Sequence, residues 1–233
     1  MNKRIFAVVA IAFFMVLPLF AATQRVQALS TTVSVQSMGG SYDYTYFYVN
    51  IGDRINFTLN VAGVSSLWSW KVNMTWNDTM LHLAPTNNVT EGPFLDGAGA
   101  TMFIVAPPTL GNIPELSSTL LENVSVSGSG PLAYTSFTVQ NYGNTTINIT
   151  DTRLLDPSGN DISNTPVSKI IALRLKGDVT GDNKVDIVDV ATVAKQFGRK
   201  VPPASEVVDI NHDGKIDITD VALTAKNFGR HYP

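Results

Sequence analysis

The chain has 233 residues, of which 44% are hydrophobic and 15% are charged, so it can form one large domain with its own core and one small domain. The formal net charge of −3 and the absence of a basic run argue against a nucleic-acid partner. There is no cysteine, so disulfide bonds are excluded as a source of stability.

The N-terminus has the features of a secretory signal peptide. Lys3 and Arg4 precede an apolar stretch in residues 5–20, and Val26-Gln27-Ala28 offers small residues for cleavage after Ala28. A single membrane anchor is the alternative, but the apolar stretch is short and contains Pro18. We therefore expect residues 1–28 to be removed and the protein to be secreted or extracellular, with attachment to the cell surface left open.

Asparagines in Asn-x-Ser/Thr sequences are frequent in the first 150 residues. Each is a glycan acceptor in a cell that glycosylates its secreted proteins. Many acceptors without any cysteine are typical of an archaeal cell surface, so the sequence predicts a glycoprotein. The seven acceptors are Asn56, Asn73, Asn77, Asn88, Asn123, Asn144 and Asn148.

Residues 31–175 are predicted to form many short β-strands. Apolar and polar side chains alternate in residues 54–61, which is the period of a half-buried strand. Residues 132–139 and 145–149 continue this pattern, and turns rich in Gly, Pro, Asn and Asp separate the strands. The predicted fold class is therefore mainly β, with a jelly-roll β-sandwich followed by a small helical domain.

Two aromatic clusters are candidates for ligand contact. Trp68, Trp70 and Trp76 share one face of a strand, where they either stack on sugar rings or fill the space between two sheets. The opposite face carries the acceptors Asn73 and Asn77 and must face water, which favours the buried arrangement. The aromatic run in residues 42–48 is either an edge strand or a contact patch.

A catalytic centre is not indicated in residues 31–175. A glycosidase needs two carboxylates that face each other across a cleft, and the acidic residues of this region lie mostly in predicted turns. His82 is its only histidine, and a solvated strand end explains it better than a Ser/His/Asp triad. We therefore expect no enzymatic activity.

An ordered series of segments in residues 31–175 resembles cohesin modules, the receptor half of the cohesin–dockerin pairs of cellulosomes. The resemblance implies a nine-stranded jelly roll that binds dockerins on one sheet face and has no catalytic activity. The segments are Gly52-Asp53-Arg54-Ile55-Asn56-Phe57, Leu67-Trp68-Ser69-Trp70-Lys71-Val72, Gly92-Pro93-Phe94-Leu95, Thr101-Met102-Phe103 and Ser127-Gly128-Ser129-Gly130-Pro131-Leu132-Ala133, which leads to Phe137-Thr138-Val139.

The C-terminal region contains an internal repeat. Residues 178–199 align without gaps on residues 209–230, and 13 of the 22 positions are identical. Such a repeat marks one structural unit that is present twice. Each copy begins with an acidic loop and continues with a short helical pattern, so residues 177–233 are predicted to form the second domain.

Each acidic loop has the ligand spacing of an EF-hand. Oxygen ligands are expected at positions 1, 3, 5, 9 and 12, with a backbone carbonyl at position 7 and a sharp turn at position 6. Asn183 and Gly214 occupy position 6, and both tolerate the left-handed conformation. Two Ca²⁺ sites are predicted, of which the first is weaker because Thr is a poorer ligand than Asn at position 3. The ligands are Asp178, Thr180, Asp182, Lys184, Asp186 and Asp189 in the first loop, and Asp209, Asn211, Asp213, Lys215, Asp217 and Asp220 in the second.

The segments after the loops have apolar residues at helical spacing. Gly198 and Gly229 are stop signals for the two helices. We expect two short helices that bury their apolar faces only against each other. The recurring residues are Ile187, Val190, Val193 or Ala194, and Phe197 in the first copy, and Ile218, Val221, Ala225 and Phe228 in the second.

This second domain resembles a dockerin. Asp at position 12 and the lack of a helix before the first loop distinguish it from an ordinary EF-hand, and dockerins show both features. Many dockerins carry Ser/Thr pairs at positions 10 and 11, a pattern from which Ile187-Val188 departs. The resemblance implies that a partner binds these positions and the exposed helix face, which are Ile187, Val188, Ala194, Lys195 and Arg199 in one copy and Ile218, Thr219, Ala225, Lys226 and Arg230 in the other.

These features predict a secreted, non-catalytic scaffold or adaptor that assembles through calcium-dependent cohesin–dockerin contacts, in polysaccharide degradation or in cell-surface complexes. Its expected partners are a cohesin-bearing protein at the dockerin and a dockerin-bearing protein at the sandwich. Only Lys176 and Gly177 separate the two domains, so these contacts form between chains, either with other proteins or head to tail between copies. The alternative is a carbohydrate-binding or adhesive sandwich tethered by its dockerin, and a polysaccharide-degrading enzyme with a dockerin tail is the third choice.

Overall fold

The computed structural model describes residues 30–83 and 88–232. The predicted signal peptide, residues 1–28, lies outside the described residues. Within the described ranges, no helix has the length and apolar character needed to cross a membrane.

Twelve strands account for most of the described residues between 32 and 175. They are β1 (Thr32–Ser37), β2 (Tyr46–Val49), β3 (Arg54–Leu67), β4 (Ser69–Thr75), β5 (Leu81–His82), β6 (Val89–Glu91), β7 (Thr101–Val105), β8 (Asn112–Leu120), β9 (Val126–Val139), β10 (Gly143–Leu155), β11 (Thr165–Val167) and β12 (Lys169–Leu175). A single helical turn, α1 (Pro93–Asp96), lies between β6 and β7.

The strands form two six-stranded sheets. The first has the order β11-β1-β3-β9-β5, with β6 also paired to β9, and the second has the order β2-β12-β10-β4-β8-β7. Most pairs are antiparallel, whereas β1–β11 and β2–β12 are parallel. The predicted mainly β sandwich is confirmed. The described part of the chain has twelve strands rather than the nine that the cohesin resemblance implies, in part because the short β5 and β6 both pair with the long β9.

The core lies between the two sheets and is built from the alternating apolar residues. Ile55, Phe57, Leu59 and Val61 of β3 are buried, as the period-2 pattern predicts. A continuous apolar core of this kind supplies most of the favourable free energy of folding.

The tryptophans of the β4 region belong to this core. Trp70 and Trp76 are 1% and 6% exposed, and the Trp76 ring packs edge-on against Phe137 with 5.1 Å between ring centroids. Trp68 is half-buried, and its indole N–H donates to the Glu122 carbonyl oxygen. Trp70 and Trp76 thus fill the space between the two sheets, which is the buried arrangement that the sequence favours.

The second domain contains two short helices, α2 (Ile187–Ala194) and α3 (Ile218–Lys226), and a 3₁₀ turn at Glu206–Val208. Both helices begin with a capping box, in which Asp186 or Asp217 caps the helix and the aspartate three residues later bonds back to the cap residue's backbone N–H. Both end before the predicted stop signals, Gly198 and Gly229.

The apolar faces of α2 and α3 are not buried as predicted. Ile187, Phe197, Ile218 and Phe228 are all more than half exposed. The prediction that the helices bury these residues against each other is therefore wrong. The core is instead formed largely by loop residues and by Tyr48 of the sandwich, because helices of two turns offer little area of their own. This core comprises Tyr48, Val179, Val193, Val208, Ile210 and Ile216.

We predict that Phe57→Ala lowers the free energy of unfolding of the sandwich by about 3–5 kcal/mol, because the substitution leaves a large cavity at a fully buried position. Chemical denaturation followed by tryptophan fluorescence measures this change, since all three tryptophans lie in the sandwich. Leu110→Ala is the control, because Leu110 is 86% exposed and its truncation should change stability by no more than about 0.5 kcal/mol. Equal effects of the two substitutions would contradict the assignment of the core.

Candidate calcium loops and docking faces

The first loop wraps its backbone around the carboxylates of positions 1 and 12. Gly181 N donates to Asp178 Oδ1 at 2.6 Å, and Asn183 N donates to Asp178 Oδ2 at 2.9 Å. Val179 N and Asp186 N donate to the two carboxylate oxygens of Asp189 at 3.0 and 2.8 Å. The Thr180 hydroxyl bridges the two aspartates, so three predicted ligand residues are brought together.

The second loop repeats this arrangement. Gly214 N donates to Asp209 Oδ2 at 2.9 Å, and Ile210 N and Asp217 N donate to the Asp220 carboxylate at 2.8 and 2.9 Å. Asn183 and Gly214 both adopt positive φ angles, +67° and +86°, as predicted for the sharp turn at position 6.

The carboxylates at positions 1 and 12 are buried. Asp178, Asp189, Asp209 and Asp220 are each at most 1% exposed, and none of them forms an ion pair with a described residue. Burial raises the pKa of Asp209, and the nearby charges of Asp220 and Asp213 raise it further. Burial likewise raises the pKa of Asp220. Clustered buried carboxylates of this kind are destabilising unless a cation neutralises them.

The remaining acidic ligands differ between the loops. In the first, Lys184 Nζ pairs with Asp186 at 2.9 Å and with Asp182 at 3.4 Å, and its hydrogen bond lowers the pKa of Asp186. In the second, the backbone N–H of Thr219 lowers the pKa of Asp217. Among the described residues, no three His, Asp or Glu side chains are arranged closely enough to hold a metal ion. The donor types, hard carboxylate, hydroxyl, amide and carbonyl oxygens on a twelve-residue loop, nevertheless fit calcium.

The residues predicted to contact a partner lie on the surface. All ten are exposed, and the two copies are nearly equivalent, because Ile187 and Ile218 are 66% and 67% exposed and Phe197 and Phe228 are both 57% exposed. The domain therefore presents the same face twice. The residues are Ile187, Val188, Ala194, Lys195, Arg199, Ile218, Thr219, Ala225, Lys226 and Arg230.

A contact between the two domains was not predicted in this form. Residues 41–48, here called the tyrosine segment, lead into the edge strand β2 and pack against the second domain. Tyr48 donates its hydroxyl hydrogen to the Val207 carbonyl oxygen, and Glu206 accepts from Thr45 N at 3.2 Å. The segment is thus both an edge strand and a contact patch, which the sequence left as alternatives. The sequence feature that points to this contact is His212, which occupies position 4 of the second loop, where the first loop has Gly181.

The glycan acceptors lie on strands and loops of the sandwich. Asn56, Asn77, Asn123, Asn144 and Asn148 are exposed, whereas Asn73 and Asn88 are half-buried. A glycan needs an exposed acceptor, so the five exposed asparagines are more accessible to glycosylation than Asn73 and Asn88.

Comparison with known proteins gives a sequence match in the second domain and structural matches in the sandwich. Residues 176–228 match the dockerin type I domain family. No curated protein matches the chain by sequence.

The sandwich is similar to solved cohesin structures from Acetivibrio cellulolyticus. A type II cohesin domain from its cellulosome has a TM-score of 0.51 and 15% identity, with 61% of this chain and 95% of that chain covered. The second type II cohesin module of its adaptor ScaA scaffoldin has a TM-score of 0.50 and 17% identity, with 62% and 95% covered. A type II cohesin–X–dockerin complex has a TM-score of 0.51 and 15% identity, with 62% and 99% covered.

Sequence identities of 15–17% show only that the sandwich shares the fold of these structures, whereas the match to the dockerin type I family identifies the second domain by its sequence. The chain consists of a cohesin-like β-sandwich followed by a dockerin type I domain.

Proposed function

We propose that this chain is a secreted, non-catalytic adaptor that joins two proteins, one through each of its domains. Its dockerin binds a cohesin on another chain, and its sandwich receives a dockerin from a third. The observation that carries this proposal is the placement of the second domain, which packs against its own sandwich and leaves both copies of its docking face exposed. Polysaccharide degradation or cell-surface assembly outside the cell is the setting that such modules suggest.

The dockerin half of the proposal is supported by the equivalence of its two faces. Matched exposure at Ile187 and Ile218, together with Lys195 and Arg199 matching Lys226 and Arg230, lets either copy occupy the same receptor site. The domain would then dock in two orientations that differ by about 180°, as expected for an internal repeat that presents one surface twice.

The sandwich half is supported by the outer face of the second sheet. Met102 and Ile104 on β7 are 53% and 40% exposed, and a shallow groove beside them is bordered by charged residues such as Lys71, Glu115 and Arg153. An exposed apolar patch with a charged border is typical of a protein interface. β7 and β2 are opposite edges of this sheet, so the chain's own dockerin, seated at β2, lies far from this face. Contacts at this face would therefore form between chains.

Calcium is the expected ligand of both loops. Dockerin type I domains bind calcium, and the buried carboxylates of positions 1 and 12 call for a cation in each loop. Two ions would neutralise these carboxylates and hold the loops in the conformation that orients α2 and α3.

We predict that chelation of calcium in the full chain removes the helical circular dichroism signal of the second domain and that added calcium restores it. Without a cation, the buried carboxylates repel each other, and the small core of this domain cannot compensate. The sandwich has an independent core, so its tryptophan fluorescence should not change. Helical signal that persists in chelator would show that the domain does not depend on metal.

We also predict that Asp209→Ala reduces calcium affinity more than Asp178→Ala, as measured by calorimetry on the full chain. The second loop has Asn211 rather than Thr180 at position 3, while Lys184 competes with a cation in the first loop. Two sites of equal affinity, or a stronger first site, would contradict this ranking.

The assembly proposal is tested by capture of secreted proteins from the source organism on the immobilised chain, in calcium and in chelator, with identification by mass spectrometry. We expect calcium-dependent capture of proteins that carry cohesin or dockerin modules. Ile187→Asp combined with Ile218→Asp should abolish capture of the cohesin-bearing proteins only, and both substitutions are needed because either copy can dock. Met102→Asp combined with Ile104→Asp should abolish capture of the dockerin-bearing proteins only.

Val167→Asp on the exposed edge strand β11 is the control and should change neither set. Capture that is insensitive to both double substitutions would overturn the proposal. Light scattering of the chain alone then separates adaptor from self-assembly, because head-to-tail binding makes the mass grow with concentration in calcium, whereas an adaptor remains a monomer. A two-fold dimer that survives chelator would contradict both.

A further inference from the structure

The tyrosine segment of the sandwich lies against the second calcium loop. Ser41 N and Ser41 Oγ donate to the His212 carbonyl oxygen at 2.8 and 3.1 Å, and the Tyr42 hydroxyl donates to Asp209 Oδ2 at 3.1 Å. These partners are about 170 residues apart in the chain, so the contacts exist only when the two domains are packed together.

His212 is the residue of the second loop that reaches into the sandwich. It occupies position 4, where the first loop has Gly181, and both residues have positive φ angles, +57° and +77°. A histidine in this conformation is strained relative to glycine. Its ring stacks on Tyr44 with 3.6 Å between centroids and 7° between planes, and its Nε2 lies 2.8 Å from the Tyr46 carbonyl oxygen. A carbonyl oxygen can only accept, so Nε2–H of His212 is the donor in this contact.

Asp209, the position 1 ligand of this loop, is held from two directions. Gly214 N from the loop and the Tyr42 hydroxyl from the sandwich both donate to its Oδ2 atom. A carboxylate oxygen can only accept, so the Tyr42 hydroxyl is the donor in this contact. The hydroxyl therefore fixes the orientation of a carboxylate that is predicted to bind calcium.

Asp178, the equivalent ligand of the first loop, has a different environment. The hydrogen bonds recorded to its carboxylate come from Thr180, Gly181, Asp182 and Asn183, all within its own loop. A positively charged side chain of the sandwich lies there instead. The Arg174 guanidinium packs beside Gly181 and donates to the Val179 carbonyl oxygen at 3.0 Å. The chain thus contains an internal comparison, one loop with the tyrosine contact and one without it.

We propose that the sandwich completes the second calcium site: Tyr42 is a positioning residue that orients Asp209, so calcium binding to the second loop and docking of the dockerin on its own sandwich strengthen each other. This coupling rests on the calcium binding proposed above. Thermodynamic linkage makes this coupling reciprocal. The sandwich raises the calcium affinity of the second loop by a certain factor, and calcium in that loop favours the docked arrangement by the same factor. The first loop lacks the tyrosine contact and lies outside the part of this coupling that Tyr42 carries.

The test combines Tyr42→Phe with single-site backgrounds in the full chain. Asp178→Asn disables the first site, so that only the second is titrated. Asp209→Asn disables the second site, so that only the first is titrated. Because outer partners of metal ligands typically change affinity by 10- to 100-fold, we expect Tyr42→Phe to weaken calcium binding at least about tenfold in the first background and to have no effect in the second. Tyr134→Phe on β9 makes the same chemical change away from the domain contact and should leave both affinities unchanged.

Hydrogen exchange of residues 38–48 supplies the reciprocal readout. Chelator and Asp209→Asn should each speed exchange at Ser41 N and Thr45 N, which bond to the dockerin, whereas Asp178→Asn should not. His212→Gly, which places the first loop's residue in the second, should also speed exchange without removing a calcium ligand.

Equal loss of affinity at both sites, no loss in Tyr42→Phe, or exchange that is unchanged by calcium would each overturn the coupling while leaving calcium binding and assembly intact. A chain that binds no calcium at all would overturn both proposals, and the wild-type titration identifies that case directly.

Discussion

Burial of four carboxylates that form no ion pair with a described side chain is the constraint on which the second domain depends. Asp178, Asp189, Asp209 and Asp220 gather backbone N–H groups around themselves, and this fixes the loop conformation and the start of both helices. The same residues leave the domain with negative charge that its own side chains do not neutralise. The hydrogen bonds that order each loop therefore converge on the same carboxylates that are proposed to bind calcium.

The second domain is too small to form an adequate core alone, and the sandwich supplies part of what it lacks. Tyr48 is buried among Val193, Val208 and Ile216 rather than within the sandwich core. Because Tyr48 occupies that position, the core of the second domain does not need the apolar residues at the start of each helix. Ile187 and Ile218 remain available on the surface, where they can contact another molecule. The interdomain packing and the exposed docking faces are thus two results of the same arrangement.

Local patterns predicted the parts of this structure that depend on local physics. The alternation in residues 54–61 placed four side chains in the core, and the loop spacing placed Asn183 and Gly214 in left-handed turns. The parallel pairing of β2 with β12 and the contact between Tyr42 and Asp209 join segments more than 120 residues apart, which periodicity cannot predict. Helical spacing also misassigned Phe197 and Phe228 to the core, because it shows that residues share a face but not what covers that face.

The continuity between β12 and the first calcium loop has a geometric consequence. Leu175 is the last residue of β12, Asp178 follows after two residues, and the tyrosine segment holds the second loop to the same edge of the sheet. The distance and angle between the two proposed docking surfaces are therefore set by the fold and not by a flexible linker. A flexible linker gives the second binding site a moderate effective concentration in many geometries. A rigid connection gives that site a high effective concentration in only a few geometries. Complexes built on this chain would accordingly gain avidity only where the spacing of their partners matches that of the two domains.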